Sequence, residues 1–341
     1  MTTQKRKKDH IRICLEENVE MGKTTGLEDL EFVHDALTNV NFKKISTKRK
    51  FLNKTLSFPL IIEGMSGGTK EGMEINKTLA KSAQKFNVAL GVGSQRAMIE
   101  DENLWETYYV RDVAPDILLI GNIGLIQLAD YGAKSVENAC KRIEADGLAI
   151  HLNSLQEVVQ PEGDVDFSTA QKGLSEAKKL KIPYLFKETG AGISGACAKE
   201  LEKYKPSAID VGAAGGTSWS AVEYFRNNER ICREMRDWGI PLVSSLMDVV
   251  SNVDCPVIAS GGIRGGVDGA KTIALGAYMF GAALPFFKKA AKGGHELNRE
   301  IEAWILQFKR AMFLVGAQNL PELSGKKIII TGKTLERLRE I

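Results

Sequence analysis

The sequence predicts an α/β protein, a closed (β/α)8 TIM barrel with an N-terminal extension and C-terminal helices. Two observations predict it: short apolar runs ending in Gly or polar residues recur eight times, and helix-period segments lie between them. The runs lack the polar alternation of a one-sided sheet, which suits parallel strands buried on both faces. They are FPLIIEGM (58–65), NVALGVGS (87–94), DILLIGNIG (116–124), GLAIHLN (147–153), IPYLFKETG (182–190), SAIDVGAAGG (207–216), CPVIASGGI (255–263) and AYMFGAALP (277–285). An open doubly wound sheet is the competing architecture, and no early strand–GxGxxG–helix unit supports it.

Residues 1–56 precede the first strand and hold too little apolar material for a core of their own, so they read as an extension over the barrel mouth. Residues 57–341 read as the barrel with its tail. Between the first two strands, EGMEINKTLAKSAQKFN sets Met73, Ile75, Leu79 and Phe86 among polar residues at helical spacing. TAQKGLSEAKKLK and GGVDGAKTIALG behave similarly. IPLVSSLMDVVSN is read as helix and not as a ninth strand, because Pro241 stands where a first helical turn tolerates it. After about residue 287 the tail reads as helices, with Ile301, Trp304, Ile305, Phe308 and Met312 forming a packing stripe.

Composition narrows the class. With 43% hydrophobic and 26% charged residues, the chain is ordinary soluble globular material. A formal net charge of +3, mixed along the chain, does not point to nucleic acid; the one local excess is KRKK at 5–8. Cys14, Cys140, Cys197, Cys232 and Cys255 are scattered, with no Cys-x-x-Cys pair, which favours reduced thiols over disulfides or zinc. No apolar leader and no membrane-length run is present, so a cytoplasmic protein without a membrane partner is expected.

In such barrels the active site lies at the C-terminal strand ends, which here read MSGG, GSQR, GNIG, HLN, KETG, GAAGGT, SGGIRGG and GAA. One Gly-rich turn is merely a βα turn. Several at consecutive strand ends suit a large flat ligand bearing phosphate, the last two falling where backbone amides and a helix N-terminus often hold it. His151 and Asn153 share one face by period two and can both point inward. Taken singly they are a satisfied core His and an Asn–Ser turn.

Several motifs together resemble the type 2 isopentenyl diphosphate isomerases. The carrying segments are RKKDH (6–10), MSGG (65–68), GSQR (93–96), GNIG (121–124), HLNSLQE (151–157), PEGD (161–164), KETGAG (187–192), DVGAAGGTSW (210–219), WGIP (238–241), SGGIR (260–264) and LGAYMFGAALP (275–285). The resemblance runs from about residue 5 to residue 287. GGT and SGGIR are shared with other FMN barrels; GSQR and HLNxxQE together with PEGD are the specific combination.

The resemblance implies a homo-oligomer, tetramer or larger, that binds FMN and Mg2+, has its flavin reduced by NAD(P)H, and acts on a small-molecule diphosphate. Reduced flavin would be the acid–base group for a net proton shift across an allylic unit. It carries Gln156 to the substrate's hydrocarbon end, Glu157 to the metal, and His151 and Asn153 to orienting the diphosphate or Gln156. Arg6, Lys7 and His10 fall on a diphosphate-binding element, with Ser94, Gln95 and Arg96 adding contacts. For the flavin it implies Met65, Ser66, Gly67, Ser94 and Asn122 around the ring, Lys187 at the pyrimidine side, and Thr217, Gly261, Gly262, Ile263, Arg264, Gly281 and Ala282 at the phosphate and ribityl chain. Glu162 and Asp164 can equally be loop acids. Two departures stand out: Ser66 where Thr is common, and Gly212-Ala213 where Ser-Gly is common, which puts one flavin hydrogen bond in question.

Other readings of the same pattern are a 2-hydroxy acid oxidase or glutamate synthase relative, with His151 the sole candidate base, and an inosine monophosphate dehydrogenase using Cys197. A non-catalytic phosphate sensor is the reading from another class.

Overall fold

The computed structural model describes residues 3–340. The chain enters through helix α1 (Thr3–Glu16), strand β1 (Leu30–Phe32) and a hairpin of β2 (Arg49–Phe51) and β3 (Lys54–Leu56). Eight parallel strands follow: β4 (Leu60–Ile62), β5 (Ala89–Gly91), β6 (Leu119–Gly124), β7 (Gly147–Leu152), β8 (Tyr184–Glu188), β9 (Ala208–Asp210), β10 (Val257–Ala259) and β11 (Met279–Ala282). β11 pairs with β4 and closes the barrel. Each strand lies inside one of the eight apolar runs, so the (β/α)8 expectation holds and the open sheet does not.

The intervening helices are α2 (Lys70–Phe86), α3 (Arg96–Glu100), α4 (Leu125–Arg142), α5 (Ser154–Val159), α6 (Ala170–Ala177), α7 (Gly195–Glu202), α8 (Trp219–Asn227), α9 (Arg230–Glu234), α10 (Leu242–Val250) and α11 (Gly266–Ala274). α2 starts where Thr69 Oγ1 accepts the Gly72 N–H at 3.0 Å, and it buries Ile75, Leu79 and Ala83 against the strands. α10 begins directly after Pro241, whose φ of −57° already suits a helix. After β11 come α12 (Leu284–Ala290), α13 (Gly294–Leu314) and α14 (Leu320–Ser324). Ile301, Trp304, Phe308 and Met312 of α13 are buried, and Phe308 packs on Phe58 and Phe280 at ring distances of 5.0 and 5.8 Å.

The tail is not wholly helical. Ile328–Ile330 form β12, antiparallel to β1, before α15 (Gly332–Leu338). Three consecutive β-branched residues favour extended backbone, and β1 offers an unpaired edge. The two chain ends are thereby stitched together.

Period two organises the barrel interior. Ile61, Ala89, Ile120, Ala149, Leu185, Ala208, Ile258 and Met279 form one apolar cluster, joined by Phe51 and Leu56 of the hairpin, which plugs the N-terminal end. Two residues further along each strand stand Glu63, Gly91, Asn122, His151, Lys187, Asp210, Ser260 and Gly281. The interior therefore changes from hydrocarbon to a polar and charged ring within one strand repeat. The segment before β4 thus touches both ends: α1 sits at the mouth and the hairpin closes the floor. No described helix is long and apolar enough to cross a membrane.

Candidate active site

Above the polar ring opens a cavity with about 1450 Å³ of empty space, its mouth included. β6, β7, β8 and β11 reach it through strand residues, and β4, β5, β9 and β10 through Glu63, Gly93, Gly212 and Ser260 just beyond their ends.

One wall is α1. Arg6, Lys7, His10 and Ile11 face the cavity while Lys8 is exposed. Lys7 Nζ donates to the Ser94 carbonyl (2.9 Å) and to Tyr108 Oη (2.6 Å). Burial, with the Arg6 charge beside it, pulls Lys7 down to about 7. His10 Nε2 is 2.7 Å from Glu223 Oε1, and its ring meets Trp219 edge-on at 5.3 Å. Glu223 is fully buried and also accepts from Arg226 Nε (2.7 Å) and Asn227 Nδ2 (2.9 Å), so α8 holds α1 in place. Arg226 in turn forks onto Glu162, both contacts at 2.8 Å.

The end of β7 and the short α5 build the next wall. His151 Nδ1 donates to Asn122 Oδ1 at 2.7 Å, which leaves Nε2 as an acceptor. Burial and the charges of Lys187 and Lys7 hold His151 down to about 3, so its ring is neutral. Asn153 Nδ2 donates to Glu157 Oε1 and the Asp164 N–H donates to Glu157 Oε2, both at 2.7 Å. These bonds fix the carboxylate and still leave lone pairs for a cation. Gln156, half-buried, lines the cavity beside Gln160. Among the described residues no three His, Cys, Asp or Glu gather to hold a metal. A Mg2+ site here would need oxygens from a ligand besides Glu157.

The floor is charged. Lys187 Nζ donates to the Glu188 carbonyl (2.9 Å) and lies 3.8 Å from Glu63 Oε2, with Asp210 beside it in register. Burial opposes its charge, but Glu63, Asp210 and Glu188 together outweigh that and hold Lys187 above the ordinary lysine value. Glu188 Oε2 accepts the N–H groups of Thr189 and Gly190, both at 2.6 Å, and of Ala191. The carboxylate thus nests in the turn behind the strand and does not pair with Lys187.

Opposite, two glycine turns interlock. A Cβ on Gly261 would stand 2.0 Å from the Ala213 carbonyl and one on Gly262 2.4 Å from that of Gly215, and both residues have φ near +100°. Only glycine fits, and the bare backbone together with Thr217 and the N-terminus of α11 suits a phosphate. Arg264 reaches the cavity edge, its Nη2 on Glu20 Oε1 at 2.9 Å. Gly212 also lines the cavity, without a side chain, and donates its N–H to Asp210 Oδ1 at 3.2 Å.

Most sequence-predicted site residues therefore share one cavity: Arg6, Lys7, His10, Met65, Ser66, Gly67, Ser94, Arg96, Asn122, His151, Asn153, Gln156, Glu157, Lys187, Thr217, Gly261, Gly262, Arg264 and Ala282 all line it. Three do not. Gln95 turns away behind β6, where its Oε1 accepts the Asn122 N–H (3.0 Å) and its Nε2 donates to the Ala139 carbonyl (3.1 Å). It braces Asn122 and cannot contact a substrate phosphate. The Ile263 side chain is wholly buried. Gly281 faces inward below the cavity, where a Cβ would meet Glu63 Oε1 at 2.5 Å. Arg96 lines the cavity with part of its fork engaged, Nε on Glu100 Oε1 at 2.8 Å. Ser66 Oγ points to Asn76 Oδ1 at 3.1 Å.

Glu63, Asp210, Glu223 and Tyr108 escape a reading of the sequence by motif. For Glu63 and Asp210 the signal was available: each stands two residues after an inward apolar residue, Ile61 and Ala208. Glu223 and Tyr108 carry no such signal.

The FMN-dependent dehydrogenase family matches residues 198–330 of the chain. An isopentenyl-diphosphate delta-isomerase of Pyrococcus furiosus is 46% identical over 98% of this chain and 89% of its own length. The Archaeoglobus fulgidus protein of that name is 45% identical over 98% of both chains, and that of Methanothermobacter thermautotrophicus 46% identical over 98% of this chain and 95% of its own. Among solved structures, mandelate oxidase with (S)-2-phenylpropionate superposes with a TM-score of 0.65 over 96% of this chain and 97% of that one. At 15% identity that likeness concerns the fold alone.

Proposed function

The chain belongs to the isopentenyl-diphosphate delta-isomerase family, and from that premise we propose how its cavity interconverts isopentenyl and dimethylallyl diphosphate. The observation that carries the assignment of roles is convergence: the cations of α1, the Gln156–Glu157 pair and Lys187 face one cavity. FMN fits it. The interlocked glycine turns leave amides for its phosphate, and the ring of Asn122, His151 and Lys187 offers polar partners to a flat ring system.

An unactivated alkene is a poor base and an allylic C–H a poor acid; reduced FMN, when bound, supplies the acid–base group that side chains struggle to provide. The chain's own residues do the rest. Arg6, Lys7, His10 and Arg96 hold the diphosphate at the rim, and α1 screens the olefin from water. Glu157, steadied by Asn153, holds Mg2+ jointly with the substrate phosphates. Gln156 positions the hydrocarbon end as a proton relay or guide. His151 stays neutral, its Nε2 lone pair facing inward. Lys187 keeps a positive charge where a reduced flavin gathers negative charge. NAD(P)H as the reductant, a cytoplasmic location, a homo-oligomeric assembly, and residues 1–56 acting as one catalytic unit with 57–341 belong to the same proposal.

The oxidase reading has less support. A hydroxy acid oxidase needs a His base, and an imidazole held near 3 is too weak for that work. Anaerobic photoreduction of the FMN-loaded protein, without NAD(P)H, tests the main reading. Isomerase activity should appear only after reduction, and product formed in heavy water should carry deuterium. Equal turnover by the oxidised protein would rule out the acid–base role of reduced flavin.

A further inference from the structure

Below the proposed flavin site a half-buried and a fully buried carboxyl group meet in a way the isomerase chemistry does not require. Glu63 follows β4 and Asp210 ends β9; Lys187, 3.8 Å from Glu63 Oε2 and in register with Asp210, brings the two carboxyls together. Asp210 is 1% exposed. Its Oδ1 accepts from Ser260 Oγ (2.6 Å) and the Gly212 N–H (3.2 Å), while its Oδ2 is buried with no donor. Two carboxylates side by side cannot hydrogen-bond each other, and an orphaned buried oxygen is destabilising. A single proton between them supplies the missing donor.

We propose that Glu63 carries that proton at neutral pH and donates it to Asp210 Oδ2, making the pair a monoanion that holds Lys187 in place and matches its single charge. Glu63 is then a positioning residue acting through Lys187. The charged groups around it are few. Lys187 (3.8 Å) comes from β8 and Asp210 from β9. Glu188 is turned into its own N–H nest, although burial pushes it up to about 7, and His151 on β7 is neutral. The neighbouring strands β5 and β11 bring none. Burial first, and then the Asp210 charge, push Glu63 up to about 8 against the pull of Lys187. Beneath Glu63 lies a second, small cavity, also walled by Asn122, Lys187, Ala149 and Leu185.

The consequence for the flavin rests on the function proposed above; the proton itself does not. Above about pH 8 the pair gains a second negative charge beside the ring, which disfavours the reduced, negatively charged flavin. The test is infrared spectroscopy of the whole protein between pH 6 and 10, with Glu63→Gln as the variant. The expected result is a protonated-carboxyl C=O band lost as pH rises through about 8 in the natural protein and missing in the variant, beside a Glu188 band that both proteins lose through about 7. No such band in the natural protein, or the same band in Glu63→Gln, would overturn the proposal. The second readout is the reduction potential of bound FMN. It should fall more steeply between pH 7 and 9 in the natural protein than in Glu63→Gln, and parallel slopes would overturn the coupling to the flavin. A protein that binds no FMN but shows the band fails the function and keeps the proton.

Discussion

Leu185 and Lys187 stand two residues apart on β8 and face the same way, yet they belong to different solvents. Leu185 sits in the apolar cluster under the hairpin, where Phe51 and Leu56 exclude water and close packing supplies most of the stabilisation. Lys187 sits in the ring above, where each ionisable group is desolvated and must find a partner. One layer stores stability and the other holds chemistry that costs stability. The boundary between them is a single strand repeat.

The contrast is sharpest for residues at the far wall of the cavity. Gln156→Ala removes a half-buried amide from α5 and no core packing, so turnover should fall by about 10²–10⁴ with FMN binding and melting temperature retained; single-turnover assays and flavin absorbance check both. Lys187→Met keeps length while losing charge. Isomerisation should drop by about 10²–10³, as expected for a lost electrostatic stabiliser. The variant should remain folded, and a large loss of stability without loss of rate would invert the two layers.

Leu185→Ala is the reciprocal change. Large-to-small substitution in a packed core costs about 2–5 kcal/mol, so urea unfolding should shift by that amount while kcat per folded molecule changes little. If turnover collapsed in the folded fraction, the floor would be part of the machinery.

Two smaller effects probe the rim. Lys7 is held at about 7, below the ordinary lysine value, so its charge is present below pH 7 and lost from the free protein as pH rises through it. Diphosphate binding above pH 7 must then take up a proton, and KM should rise by up to about tenfold per pH unit while kcat holds. Lys7→Met should flatten that slope. Glu157→Gln keeps the Asn153 contact but loses the charge, and should shift the Mg2+ dependence of activity to higher concentration. An unchanged Mg2+ titration would remove Glu157 from the metal.

Legibility differed by kind of residue. Apolar runs such as 182–190 announce their strands because burial on both faces leaves a continuous pattern. Gly261 and Gly262 are legible because backbone crowding admits nothing else. Gln95 was misplaced, since a polar residue at a strand end can turn toward ligand or toward a neighbouring carbonyl, and only the position of α4 decides between them. Ile328–Ile330 were misread for a similar reason: a three-residue run pairs only if a free edge is nearby, and that edge lies about three hundred residues away in the chain.

By itself the sequence determined the eightfold alternation, the polar strand ends and the glycine turns, because hydrophobic period and steric exclusion act over a few residues. Tertiary structure alone decided which polar groups share a proton or a charge. Asp210 meets Glu63 across the barrel axis and Glu223 reaches His10 from another helix, and such electrostatic partnerships depend on distances through space that no local spacing encodes.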